Sequence, residues 1–258
     1  MTTRLEKLRE ALLMILTFSS GAVDAICFVS FGKVFTAFMT GNLVFLGIGA
    51  AGAFNPNGPN LIRVGVVVVA FTVGVFIAAR IIKRSRSSRV AGRGFSLSLA
   101  GVLTAQLVFL AGWIAVSGDP SSTYATVLAA VEAVAMGMQS SAVGSLEVKS
   151  VFTTAATATL VNLSREAADR RATDTDPGRL ARILICLIAG ATAGGLLLVN
   201  TRTFAPALST LSTAAALGVH LHTRRQARLV APSSRDLVTA GDGPLVAGDP
   251  SVGYGEAA

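Results

Sequence analysis

Two carboxylic acids stand inside apolar runs of this chain, Asp24 in Leu12–Phe31 and Glu132 in Tyr124–Leu146. A carboxylate surrounded by hydrocarbon is costly. It is retained where it binds a cation or a proton, or where hydrogen bonds answer it. Asp24 lies one or two turns from the outer end of its run, where a site role and a structural one, as a helix cap or partner of the Thr40-Gly41-Asn42 turn, both fit. Glu132 lies near the centre of its run and reads either as a site group or as a neutral, packed acid. A third feature is Val34-Phe35-Thr36-Ala37-Phe38-Met39-Thr40-Gly41-Asn42-Leu43-Val44, with Thr36, Thr40, Gly41 and Asn42 where a lipid-facing helix would carry leucines. Glycine tolerates close approach, and asparagine can satisfy backbone groups freed by a broken helix. Thr36 and Thr40 stand four apart, as do Thr153 and Thr157, so each pair is placed on one helix face. Threonine also bonds back to its own helix, which is the packing alternative. Gln106 and Gln139 add polar groups to other apolar runs, and Gly190, Gly194 and Gly195 allow close helix contact. Asp24, Thr36, Thr40, Gly41, Asn42, Gln106, Glu132, Gln139, Thr153 and Thr157 are therefore the candidate solute-binding residues.

The residue types argue against other chemistry. No nucleophile–base set or metal-ligand spacing occurs, and the glycine-rich patches lack the strand–helix context of a nucleotide site. Cys27 and Cys186 lie in apolar runs and read as packing residues. His220 and His222 fall at the edge of a run, away from any ligand set. No enzyme, metal or cofactor is expected. An intramembrane enzyme built on isolated acids stands only as a third reading.

The elements that must position these groups are membrane spans. Of 258 residues, 52% are hydrophobic and 14% charged, and mean hydropathy is +0.64. Soluble domains carry about a quarter of their residues as charges. Here the charges cluster between long apolar runs, the spacing of a polytopic membrane protein. The net charge of +8 could indicate nucleic acid. The basic residues sit beside apolar runs, however, so lipid and a small solute are the expected partners and nucleic acid is not; self-association is left open. The run Leu12–Phe31 follows Arg4, Lys7 and Arg9 as a signal peptide would, but it is long enough to span a bilayer and is read as the first crossing.

The remaining runs are Phe35–Ala53, Leu61–Ile82, Ser96–Val116, Tyr124–Leu146, a motif copy at 151–163, Ile183–Val199 and Phe204–His220. The copy, Val151-Phe152-Thr153-Thr154-Ala155-Ala156-Thr157-Ala158-Thr159-Leu160-Val161, repeats the first motif in degraded form. Eight full crossings would put the basic connectors at 83–93 and 164–182 on the wrong side. If both motif segments re-enter without crossing, every basic cluster becomes cytoplasmic, with Lys33, Arg63 and Arg202 as isolated exceptions. Each half then has three crossings, and the repeat becomes inverted, an architecture in which solute sites lie where broken helices meet near the midplane.

The expected fold is thus all-α and membrane-integral: about six spans plus two broken or re-entrant motif segments, as an inverted 3+3 repeat. The membrane domain covers 1–222, with halves at about 10–117 and 123–222. Residues 223–258 form a basic flank and a tail read as disordered.

Gly21-Ala22-Val23-Asp24-Ala25 followed by the Phe-Thr-x-x-x-Thr-Gly-Asn segment resembles the YoaK-like family of bacterial membrane proteins, domain of unknown function 1275, over roughly residues 10–222. The resemblance implies an inner-membrane protein of about six spans and implies no activity. The residues themselves point to a transporter or channel for a small cationic, zwitterionic or proton-coupled solute, with both termini cytoplasmic. The alternative is a non-transporting membrane scaffold or assembly factor.

Overall fold

A computed structural model describes residues 2–54, 58–86, 92–146, 160, 161, 164 and 177–230. The described chain is helical: α1 (Thr2–Ser30), α2 (Met39–Ala50), α3 (Leu61–Arg86), α4 (Arg93–Ala115), α5 (Ser122–Gly144), α6 (Pro177–Asn200) and α7 (Ala207–Val230), with a 3-10 turn at Arg202–Phe204 before α7. Among the described residues, six helices are long and apolar enough to cross a membrane, and α2 is a shorter apolar helix. Several are rich in β-branched residues, as in Val66-Val67-Val68-Val69 of α3. Such residues are mediocre helix formers in water. In lipid the backbone has no solvent partner, so internal hydrogen bonding compels the helix. The outward faces are correspondingly apolar: Ile62, Val69, Phe76, Ile188 and Leu211 are all exposed.

Contacts give the direction of each helix. Arg182 of α6 pairs with Glu10 of α1, and higher along both helices Gly190 meets Phe18 and Gly194 meets Ala22, so α1 and α6 run parallel. In α3 and α5, Arg63 bonds Ser122 and Thr126 while Gly74 meets Val134, so this pair is parallel too. Gln106 opposite Glu132 and Gly112 against Tyr124 make α4 antiparallel to α5. His220 of α7 packs on Phe95 near the start of α4 with ring centroids 4.7 Å apart. Consequently α1, α4 and α6 leave one end of the bundle, and α3, α5 and α7 return to it. That end carries Arg9, Lys83, Arg84, Arg93, Arg179 and Arg182 and is called the basic end below. Here Leu12, Leu13, Leu16, Phe95, Leu99, Ala142, Val143, Leu180 and Ile183 form one core cluster. α1 and α5 are the most enclosed spans, and α6 the least.

The first motif segment does not cross. Arg63 Nη1 donates to the carbonyl of Phe31, which puts the end of α1 and the start of α3 at the same, far end. Everything between them leaves and returns on one side. Likewise α5 ends, and α6 begins, at the basic end. As expected, the motif segment Phe35–Ala53 is broken: a short irregular stretch is followed by α2. Thr36 precedes that helix, so the expected shared face for Thr36 and Thr40 does not form: Thr36 is buried and Thr40 is exposed. At the other margins α1 begins earlier than the apolar pattern indicates, α6 already includes Arg179–Arg182, and α7 continues past His222 to Val230. The chain divides into two compact units, Met1–Leu221 and His222–Ala258.

Candidate functional site

The motif segment is held to α1 by its own polar groups. Asp24 Oδ1 accepts from the backbone N–H of Thr36 at 2.7 Å and of Ala37 at 2.8 Å, and from Thr36 Oγ1 at 3.3 Å. These are amides that the irregular stretch before α2 would otherwise leave bare, and no side chain caps α2 locally. Asn42, in the first turn of α2, clamps the peptide of Phe35 from both sides. Its Oδ1 accepts from Phe35 N at 3.1 Å, and its Nδ2 donates to Phe35 O at 2.6 Å. Gly41 leaves room for two rings, since a Cβ there would stand 2.9 Å from Phe38 Cδ1 and 3.1 Å from Phe35 Cδ2. Phe35 in turn stacks on Phe28 of α1 at 4.7 Å and meets Phe38 edge-on at 5.3 Å. The expected partners of Asp24 were Thr40, Gly41 and Asn42; the structure gives it Thr36 and Ala37 instead. The free amides lie before the helix, and Asn42 is occupied with Phe35.

A second polar group lies deeper. Gln106 of α4 and Glu132 of α5 are fully buried and joined by a hydrogen bond from Gln106 Nε2 to Glu132 Oε1 at 3.4 Å. Gln139, on the same face of α5, donates to the carbonyl of Leu16 in α1 at 3.1 Å. The structure thus gathers Asp24, Gln106, Glu132 and Gln139 on the facing sides of α1, α4 and α5. Thr36 and Asn42 form the neighbouring motif latch, and Thr40 is turned outward. Thr153 and Thr157 lie outside the described residues. Among the described residues there is no cluster of three His, Cys, Asp or Glu side chains suited to a metal.

Two latches at the far end went unread in the sequence. Arg63 is buried and donates to Phe31 O, to Thr126 Oγ1 at 3.0 Å, and to Ser122 O and Oγ at 2.8 and 3.1 Å. It joins the end of α1 to the starts of α3 and α5, with its positive charge at a helix C-terminus, where cations are favoured. Arg202 Nε donates to Gly118 O at 2.7 Å, and Trp113 Nε1 donates to Arg202 O at 2.9 Å, joining α4 to the turn before α7. The available signal was their isolation: both are exceptions to the charge placement. A basic residue on the sparsely charged side of a membrane protein is a candidate for structural use.

Close helix contacts complete the frame. A Cβ on Gly21 would lie 2.2 Å from Leu187 O, one on Gly190 2.0 Å from Phe18 O, one on Gly74 2.2 Å from Val134 O and one on Gly137 2.1 Å from Phe71 O. Without side chains at these points the backbones of α1 and α6, and of α3 and α5, come together, as small residues permit in membranes.

A bundle of crossing helices with apolar outer faces, a buried polar core and a folded, non-crossing motif segment defines a multi-pass α-helical membrane protein. The chain belongs to the family described as protein of unknown function (DUF1275), which matches residues 12–219. It is 27% identical over 162 residues to the UPF0700 transmembrane protein YoaK of Bacillus subtilis (strain 168), an alignment covering 63% of this chain and 68% of that protein. No solved structure matches it.

Proposed function

We propose that this protein is a transporter or channel for a small cationic, zwitterionic or proton-coupled solute, built as an inverted repeat with its site among α1, α4 and α5. One observation carries the reading. The glycine crossings occur twice, in corresponding places. A single fixed step along the numbering takes Phe18 to Val134, Gly21 to Gly137, Phe71 to Leu187, Gly74 to Gly190 and Val75 to Ala191. Gly21 faces Leu187 and Ala191; its counterpart Gly137 faces Phe71 and Val75. Each half therefore lends a helix to a pair completed by the other half. Transporters of this architecture rock one such unit against the other about a central site. The acidic and amide side chains on α1, α4 and α5 lie between the two pairs, without Lys or Arg among them, which favours solutes carrying positive charge.

The second reading, a non-transporting scaffold, is favoured by the motif latch. The bonds found for Asp24 Oδ1 and for Asn42 are all internal to the fold, as they would be in a purely structural device. Thermal stabilisation of the purified protein by a panel of amines, amino acids and inorganic cations separates the two, because a ligand of the folded state raises stability by mass action. A transporter is expected to respond to one chemical class and to accumulate it in proteoliposomes. A chain that no solute stabilises and that moves none across the bilayer is a scaffold.

A further inference from the structure

We infer that Glu132, with the side-chain oxygen of Gln106 beside it, binds one monovalent cation from solution, a proton or a sodium ion. The inference rests on the transport reading for its purpose, as the coupling ion of that site, but its chemistry stands separately.

Glu132 and Gln106 are 0% exposed and Gln139 is 1% exposed. The carboxyl group receives one hydrogen bond, at the long distance of 3.4 Å and from a neutral donor. Glu132 Oε2, Gln106 Oε1 and Gln139 Oε1 are buried without a hydrogen-bond partner. All three are acceptors. Gln139 has spent an N–H on Leu16 O, and turning the Gln106 amide over would only exchange which of its ends lacks a partner. Buried acceptors without donors are costly, and an ionised carboxylate more so.

Among the described residues, the surrounding elements supply no positive charge. The titratable groups bearing on Glu132 come from α1 and are Asp24 and Cys27. Asp24 Oδ1 is committed to Thr36 and Ala37. The side that α4 presents is the neutral Gln106. Arg63 of α3 is engaged at the far end with Phe31, Ser122 and Thr126. What the cluster lacks is one small positive charge. A proton on Glu132 removes the carboxylate charge and gives that carboxyl a donor. A sodium ion would instead be met by carboxylate and amide oxygens, hard ligands for a hard ion. One carboxylate balances one monovalent ion, whereas a divalent ion would leave a net charge in the core.

The test needs no solute. Dicyclohexylcarbodiimide adds to protonated carboxyl groups in apolar surroundings, and the adduct is located by mass spectrometry on the intact wild-type chain in detergent. Labelling of Glu132 is expected to rise several-fold as pH falls. Replacing choline chloride by sodium chloride at fixed ionic strength is expected to suppress it if the ion is sodium, and to leave it unchanged if the ion is the proton alone. Labelling that depends on neither pH nor sodium, or its absence throughout, overturns the inference. In parallel, the melting temperature of the wild type should respond to the same ion. Glu132→Gln should abolish that response and Asp24→Asn should retain it. Should Glu132→Gln fail to fold, the wild-type labelling still decides. A cation response without uptake of any solute overturns the transport reading alone; uptake without a cation response overturns this inference alone.

Discussion

Asp24 faces two consecutive backbone amides and a hydroxyl, so it caps the irregular stretch that leads into α2. Asp24→Asn keeps an oxygen for those amides but removes the charge that strengthens the bonds, and should lower unfolding stability by about 1–2 kcal/mol. Asp24→Leu leaves both N–H groups unanswered and should cost on the order of 2–5 kcal/mol. Denaturant titration of the detergent-solubilised protein measures both; equal losses would remove the capping role. Arg63 offers a sharper contrast. Arg63→Lys retains the charge but cannot span Phe31, Ser122 and Thr126 at once, and should cost about 2–4 kcal/mol in the same assay. A lysine variant as stable as the wild type would show that the fork of bonds contributes little. The sequence alone identified Asp24 and Asn42 as groups that answer a broken helix. It misplaced their partners, because α2 starts at Met39 and the bare amides precede it. That start follows from the bond between Asn42 and Phe35 across seven residues, and no local cap signals it. Arg63 was legible only as an oddity of charge, since its acceptors are spread over three helices.

At the scale of helices, the crossings of α1 with α6 and of α3 with α5 depend on glycines whose missing Cβ would run into backbone carbonyls, which cannot turn aside as a flexible side chain can. Gly21→Leu and Gly137→Leu should each destabilise by more than about 3 kcal/mol or prevent folding. Gly65→Leu, with nothing within 4 Å of the added Cβ, should be tolerated. The same contact geometry at Gly21 and Gly137 implies losses of similar size for their milder alanine variants. A large loss at one and none at the other would mean that the two crossings are not equivalent. Yield of folded protein by fluorescence-detected gel filtration ranks the series. The apolar runs made the spans readable, since lipid demands length and hydrophobicity of each. Gly190 and Gly194 were readable as packing residues. Gly21 on the facing helix, and Gly74 and Gly137 in the other crossing, were not, because a glycine in an apolar run does not disclose which helix it faces.

For the whole molecule, helix direction and charge together give an expected sidedness. The start of α1, the end of α3, the start of α4 and the start of α6 share one end, and His220 of α7 reaches it beside Phe95. An even number of crossings returns the chain to the side where it began, so the start of α1 and the part of α7 around His220 are expected to share that side. The basic end holds Arg9, Lys83, Arg84, Arg93, Arg179 and Arg182, whereas the far end holds Lys33, Arg63 and Arg202. Two of these three are engaged in latches within the fold, which leaves less free positive charge there to bias insertion. Because positive flanks are retained in the cytoplasm, the basic end is expected to face it. A phosphatase that is active only outside the cytoplasm should therefore be silent when fused after Arg228 and active when inserted after Asp119. Cysteine placed at Asp119 should react with a membrane-impermeant maleimide on intact cells, and cysteine placed at the exposed Arg84 should react only after the membrane is opened. The reverse pattern would mean that sidedness is set by something other than charge, and the cation site would then have to be assigned to the opposite compartment. A mixture of both patterns would mean that the chain inserts in two orientations, for which the near-symmetric exchange of α1–α6 with α3–α5 provides a frame.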